Sequence, residues 1–205
     1  MDYVLLTKAS VIGLSIAAPV GPIGLLCMQR TLISGAKTGL ACGLGAATAD
    51  AIYGAIGAFG LTAVTQIFTT AATPLALFGG LFLIWMGYQL LRTSANTKAA
   101  SLQVGTSNIQ AFISTMALTL ANPMTILSFI AVFSALSGSM MLNTQSAMTM
   151  VTGVFLGSAI WWLMLSTSVS IIRHKIHAST IELISKAAGV LLLGFGGWQI
   201  LSVVL

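Results

Sequence analysis

Acidic side chains are almost missing from this chain: Asp2, Asp50 and Glu182 are the three in 205 residues. Charged residues of every kind make up 5%, where soluble domains carry roughly a quarter, so a water-soluble fold is excluded. Cysteine is also scarce. Cys27 and Cys42 show neither a CxxC nor a metal-ligand spacing, which excludes a disulfide framework and a zinc site and predicts two buried thiols. A thiol-relay enzyme would need the two sulfurs to meet at mid-membrane, and each lies toward one end of its apolar run. No nucleophile–base–orienter set and no phosphate loop appears, so no enzyme is expected, and nothing calls for a cofactor. His174 and His177 form an HxxH, but the lysines beside them mark a solvated loop rather than a metal site.

Apolar side chains fill the rest. The chain is 57% hydrophobic with a mean hydropathy of +1.02, the signature of an integral membrane protein. Six apolar runs, at about 5–29, 38–64, 73–91, 109–137, 146–172 and 186–205, each approach the ~20 residues that cross a bilayer. The predicted fold is all-α, with six transmembrane helices. The net charge of +5 does not signal nucleic acid, because the Lys and Arg sit between apolar runs instead of forming a patch with interleaved aromatics. They orient the chain. Arg30 and Lys37 fall in the first link, Arg92 and Lys98 in the third, and Arg173, Lys175 and Lys186 in the fifth, whereas the second and fourth links are uncharged. The positive-inside rule then puts the odd-numbered links in the cytoplasm and both termini outside.

Against this background Asp50 stands out. It lies midway between Thr38 and Thr62 in an otherwise uncharged run, about 18 Å from either end at ~1.5 Å per residue. A carboxylate at that depth is costly unless it faces protein or water. Gly39, Gly43, Ala46, Gly54 and Gly57 share its helical face, and small residues let another backbone come close, so this face is predicted to pack against protein and not lipid. Tyr53, three residues on, could hydrogen-bond the acid, line a cavity or simply pack. Trp85, Tyr88 and Trp198 sit near span ends as an interfacial belt. Trp161 and Trp162 are mid-span, and one of them is expected to face the interior.

Two of the four prolines, Pro19 and Pro22, interrupt the first run in Ala18-Pro19-Val20-Gly21-Pro22-Ile23-Gly24. The helix should break there, since each ring removes an N–H and clashes with the preceding turn. Pro22 suits a first helical position and Gly21 the cap before it, which opens a new helix N-terminus at mid-membrane. Its free N–H groups and positive dipole end can hold an anion. Ala121-Asn122-Pro123 repeats the theme inside the fourth run. The third and sixth runs also align, Gly79-Gly80-Leu81-Phe82-Leu83 with Gly189-Val190-Leu191-Leu192-Leu193 and Gly87-Tyr88-Gln89-Leu90-Leu91 with Gly197-Trp198-Gln199-Ile200-Leu201. Three spans per half require opposite orientations. The expected plan is two inverted three-helix repeats, 1–98 and 99–205, with the first and fourth helices broken and a substrate site where the breaks meet.

Several stretches together resemble the LysE/RhtB family of bacterial amino-acid exporters along essentially the whole chain. They are Pro19-Val20-Gly21-Pro22-Ile23-Gly24-Leu25-Leu26, Gly45-Ala46-Ala47-Thr48-Ala49-Asp50-Ala51-Ile52-Tyr53-Gly54, Leu83-Ile84-Trp85-Met86-Gly87-Tyr88, and Ala121-Asn122-Pro123 with Leu127 and Phe129. Many members read Pro-Gly-Pro where Val20 is inserted here, with a polar pair where Ile23-Gly24 stands. The resemblance implies a multi-pass protein of the bacterial inner membrane that exports amino acids or related metabolites against protons. In that reading Asp50 binds the substrate ammonium and doubles as the proton-coupling group, since a carboxylate held out of water can trade a bound cation for a proton. The openings at Pro19, Gly21 and Pro22 and at Asn122 and Pro123 receive the carboxylate. Two other functions stay open, a divalent-cation exporter of the same superfamily and a non-transporting membrane assembly protein. The glycine-rich faces would serve a homodimer as well as a monomer.

Overall fold

Long apolar stretches with helix-starting polar residues at their edges fold as helices and nothing else among the described residues of the computed structural model. These are residues 2–19, 21–59, 72–92, 107–122, 125–126, 128–129, 143–173, 175 and 178–204. Val20, Pro123, Leu127, His174 and His177, the polar linker at 93–106 and most of the two uncharged links lie outside them.

Seven helices are described: α1 (Tyr3–Ala17), α2 (Pro22–Ser34), α3 (Ala36–Ala58), α4 (Ala72–Arg92), α5 (Asn108–Leu120), α6 (Thr144–Arg173) and α7 (Ala178–Val204). Their starts follow from capping chemistry. The Asp2 carboxylate accepts from the N–H groups of Val4 and Leu5 at 3.0 and 3.1 Å. Ser107 and Gln110 close a reciprocal capping box on α5, which satisfies N–H groups that the helix itself cannot.

By length and composition α3, α6 and residues Glu182–Val203 of α7 can each cross a membrane, and α1 with α2 would make a fourth, broken span. Residues Ala76–Arg92 of α4, and α5, are shorter apolar helices. The outward surface carries Phe78, Leu81, Leu163, Met164, Ile171 and Val190, all exposed, as expected of a protein that meets lipid. Trp85, Tyr88 and Trp198 are exposed too, and the Arg92 guanidinium stacks over the Tyr88 ring at 5.1 Å.

Glycine sets how closely the helices approach. α3 is held between α6 and α5. On its α6 side Gly39 meets Ser166, Gly43 meets the Trp162 side chain and Gly54 meets Val154; on its α5 side Gly45 lies against the Phe112 carbonyl. The small-residue face of Asp50 therefore packs against protein over most of its length: Gly39, Gly43, Ala46, Asp50 and Gly54 are buried, and Gly57, the last of the set, is half-buried. α1 lies on α6, where Gly157 touches the Ser10 carbonyl and Gly153 the Ala9 methyl. α4 pairs with α7 through Gly80 against Gly196 and Gly87 against Gly189, and the buried Gln199 amide donates to the Ala76 carbonyl at 2.8 Å.

Two connections differ from the sequence reading. Arg30, expected in a solvated link, lies inside α2, because the helix runs on to Ser34 before a single-residue turn at Gly35. Gly35 has φ +91° and ψ 176°, a conformation essentially confined to glycine. Arg173, at the end of α6, donates to the Ile33 carbonyl at 3.3 Å and so caps the last turn of α2. α7 also begins earlier than the apolar run at 186, and its first turns carry an exposed Glu182–Lys186 ion pair at 2.9 Å.

Candidate functional site

The break in the first run is real. α1 stops at Ala17, with the Ala18 N–H still bonded back to the Leu14 carbonyl at 2.9 Å. α2 starts at Pro22 behind the cap residue Gly21, and the two axes differ by 81°. Pro22 has no N–H, and those of Ile23 and Gly24 belong to the first turn, which the helix ladder cannot reach. In the fourth run α5 ends at Leu120, the Asn122 N–H bonds to the Thr119 carbonyl at 3.1 Å, and the chain turns helical again with Thr125 and Ile126 bonded to the Asn122 carbonyl at 3.1 and 3.2 Å. Both interruptions fall where proline spacing predicts them.

They also meet. One pocket of about 70 Å³ is lined by Pro19, Gly21 and Pro22 from the first break, Asp50 from α3, Asn122 from the second break and Trp162 from α6. Ile23, Gly24, Thr119 and Thr125 complete its polar and backbone lining. Five of the seven residues proposed from the sequence thus share a single pocket, and a sixth, Pro123, lies outside the described residues. Asp50 is 3% exposed; the Ser158 hydroxyl donates to its Oδ2 at 2.6 Å, and among the described residues it has no cationic partner. The seventh, Tyr53, does not line the pocket. Its hydroxyl donates to the Leu120 carbonyl at 2.6 Å and its ring stacks on Phe129 with centroids 5.5 Å apart, so it braces the second break from behind.

Ser158 is a site residue that the sequence hides, since one serine among many in an apolar helix carries no pattern. Of the mid-span tryptophans it is Trp162 that turns inward, 4% exposed, and its indole Nε1 has no hydrogen-bond partner among the described residues. One helical turn beyond Ser158, its side chain lines the same pocket as Asp50.

The cysteines depart from expectation in one respect. Both are buried and unbridged, as predicted, yet they are neighbours: Cys27 Sγ lies 2.8 Å from Cys42 Sγ, and Cys42 Sγ lies 2.9 Å from the Thr115 hydroxyl. They lie on facing turns of α2 and α3, which the short Gly35 connection folds back on each other.

A helical chain with an apolar outer surface, in which a buried acid lies beside two helix interruptions, is an integral membrane protein. The sequence matches the LysE type translocator family over residues 14–202, and the chain belongs to that family. YcgF of Bacillus subtilis, a protein provisionally named for amino acid efflux, is 30% identical over 195 residues, covering 91% of this chain and 90% of the relative. The threonine efflux protein of Escherichia coli K12 is 25% identical over 98% of this chain and its own full length. The chemotactic transduction protein ChpE of Pseudomonas aeruginosa is 29% identical, covering 83% of this chain and 84% of the relative. No solved structure matches the chain.

Proposed function

We propose that the protein exports an amino acid or a related small zwitterion across the bacterial inner membrane in exchange for protons. The observation that carries this reading is the convergence of Asp50 with Pro19, Gly21, Pro22 and Asn122 on one pocket. A carboxylate faces the substrate ammonium, while the two helix openings offer N–H groups and positive dipole ends to its carboxylate. Proton and ammonium compete for Asp50, so loading one expels the other, and exchange needs only this acid. The efflux relatives support the substrate class.

The architecture that serves this exchange is six spans in two inverted repeats, 1–98 and 99–205, with the basic links in the cytoplasm and both termini outside. The packing supports it. Exchanging the first three runs with the last three turns the α1–α6 contact into α5–α3 and returns the α3–α6 and α4–α7 contacts to themselves, as a two-fold relation requires. A divalent-cation exporter would want several hard ligands together, and among the described residues no three His, Cys, Asp or Glu side chains gather.

Reconstituted vesicles loaded with a panel of labelled amino acids, with and without a proton gradient, test the function. Efflux of at least one of them, accelerated by the gradient and lost in Asp50→Asn, is the expected result. Efflux from Asp50→Asn with unchanged pH dependence would remove Asp50 from the mechanism.

A further inference from the structure

We infer that Arg30 heads a second binding site, which captures the carboxylate of a small organic acid or amino acid on the basic-residue side of the Asp50 pocket. The inference rests on the export reading only for the ligand's identity as cargo. The site is a cavity of about 450 Å³ between α2, α4 and α5, in the range of small-molecule sites. The Asp50 pocket, at about 70 Å³, has room for only a few waters. In this conformation a whole amino acid fits the first and not the second.

Arg30 is part-buried, and among the described residues no carboxylate pairs with it; an ion pair is recorded only for Glu182 and Lys186. A half-buried guanidinium at a cavity wall with no counter-ion leaves a positive charge facing that cavity, so the position favours an anion. Its pose is fixed from one end. Nη1 donates to the Ala111 carbonyl at 3.0 Å, the Ser114 hydroxyl at 2.9 Å and the Thr115 hydroxyl at 3.2 Å, and lies 3.8 Å from Cys42 Sγ. Nε and Nη2 have no partner among the described residues. That leaves the fork edge which takes a carboxylate through two parallel hydrogen bonds. A residue serving only to pin α2 to α5 would need no more than the Nη1 contacts. Gln29 lines the same cavity and is 9% exposed; its amide carbonyl offers an acceptor for an ammonium, and Phe82 and Met86 form an apolar wall for a side chain.

Saturation-transfer NMR on the purified full-length protein, with propionate as probe and propionamide as control, tests the site without requiring transport. Propionate should bind and propionamide should not. Asp50→Asn should leave propionate binding intact. Arg30→Gln should abolish it, and Arg30→Lys, which keeps the charge and a partial pin should Arg30→Gln fail to fold, should weaken it about tenfold, since one point charge replaces a paired fork. Met86→Trp, which fills the cavity from the opposite wall, should weaken it similarly. Wild-type binding in folded Arg30→Lys and Met86→Trp, or loss in Asp50→Asn alone, would overturn the inference. So would loss of propionate binding in vesicles containing phosphatidylglycerol but not in phosphatidylcholine alone, which would give the guanidinium to a lipid phosphate. If propionate behaves as expected while no amino acid is exported, the site stands and the export reading falls.

Discussion

The Ser158 hydroxyl donates to the Asp50 carboxylate at 2.6 Å from a different helix, across the line where glycines bring α3 and α6 together. That bond fixes which way the acid points. A carboxylate stranded in apolar surroundings must find donors, and α6 supplies Ser158 to it, one turn before Trp162, which lines the pocket with both helix breaks. Removing the hydroxyl should leave the charge but release its aim. Hydrogen bonds to charged groups contribute about 1.5–3 kcal/mol, so Ser158→Ala should slow proton-linked amino-acid exchange by roughly tenfold or more, while Asp50→Asn should abolish it. Vesicle exchange rates on variants that elute as folded protein check both; equal rates in wild type and Ser158→Ala would show that the bond plays no part.

The glycine contacts differ sharply in what they tolerate. A Cβ on Gly157 would strike the Ser10 carbonyl and one on Gly45 the Phe112 carbonyl, neither of which can move without its helix. Gly157→Ala and Gly45→Ala should therefore each cost about 1–3 kcal/mol, the usual range for overpacking. At Gly21 a Cβ meets nothing, and φ is −108°, so Gly21→Ala should keep its stability, with any effect falling on substrate handling at the pocket that Gly21 lines. Thermal unfolding of the three variants in detergent separates the cases.

Gly35 tests the backbone instead of the packing. Its positive φ lets α2 and α3 join through one residue and sets Cys27 beside Cys42 and Arg30 beside Thr115. Any side chain there is strained by about 1–3 kcal/mol and would also crowd Arg173 Nη1, 2.9 Å from the added Cβ. Gly35→Ala should lower thermal stability by that amount. Relaxing Arg173 to alanine in the same chain should recover only the crowding part.

Much of this arrangement was legible in the residues. Proline and glycine punctuate an apolar run in only a few ways, so the breaks at Ala18–Gly21 and Ala121–Asn122 could be placed, and a lone acid on a small-residue face could only be facing protein. What stayed hidden depends on partners far away in the chain. Nothing local to Ser158 says that it will meet Asp50. Arg30 looked like a topology signal, because a charge near the end of an apolar run ordinarily is one. It takes the unbroken α2 helix and the polar rungs Ala111, Ser114 and Thr115 of α5 to draw it inside. The contact between the two cysteines is hidden for the same reason, since it depends on a single-residue turn at Gly35 that folds their helices face to face.

That proximity gives a direct test of the α2–α3 register. Two thiols with sulfurs 2.8 Å apart should be bridged by a short bifunctional thiol reagent that enters the membrane, slowly because both are buried, joining Cys27 to Cys42 within one chain. Peptide mass spectrometry should find the cross-link, and Cys27→Ser or Cys42→Ser should each prevent it. Absence of the bridge, with each thiol singly modified, would mean that the helices sit in another register.

Trp162 separates a packing role from a binding one. Its ring fills the space that Gly43 leaves on α3, so Trp162→Ala should destabilise by about 3–5 kcal/mol, as for other buried aromatics. Trp162→Phe keeps most of that volume and removes only an indole N–H that has no partner among the described residues. Because an unsatisfied buried donor costs about 1–3 kcal/mol, the phenylalanine variant should be as stable as wild type or more so. If the N–H serves the substrate carboxylate, the same variant should need roughly tenfold more amino acid for half-maximal exchange. Stability up with affinity down is the signature of a donor reserved for a ligand; stability up with affinity unchanged would make the tryptophan structural filling alone.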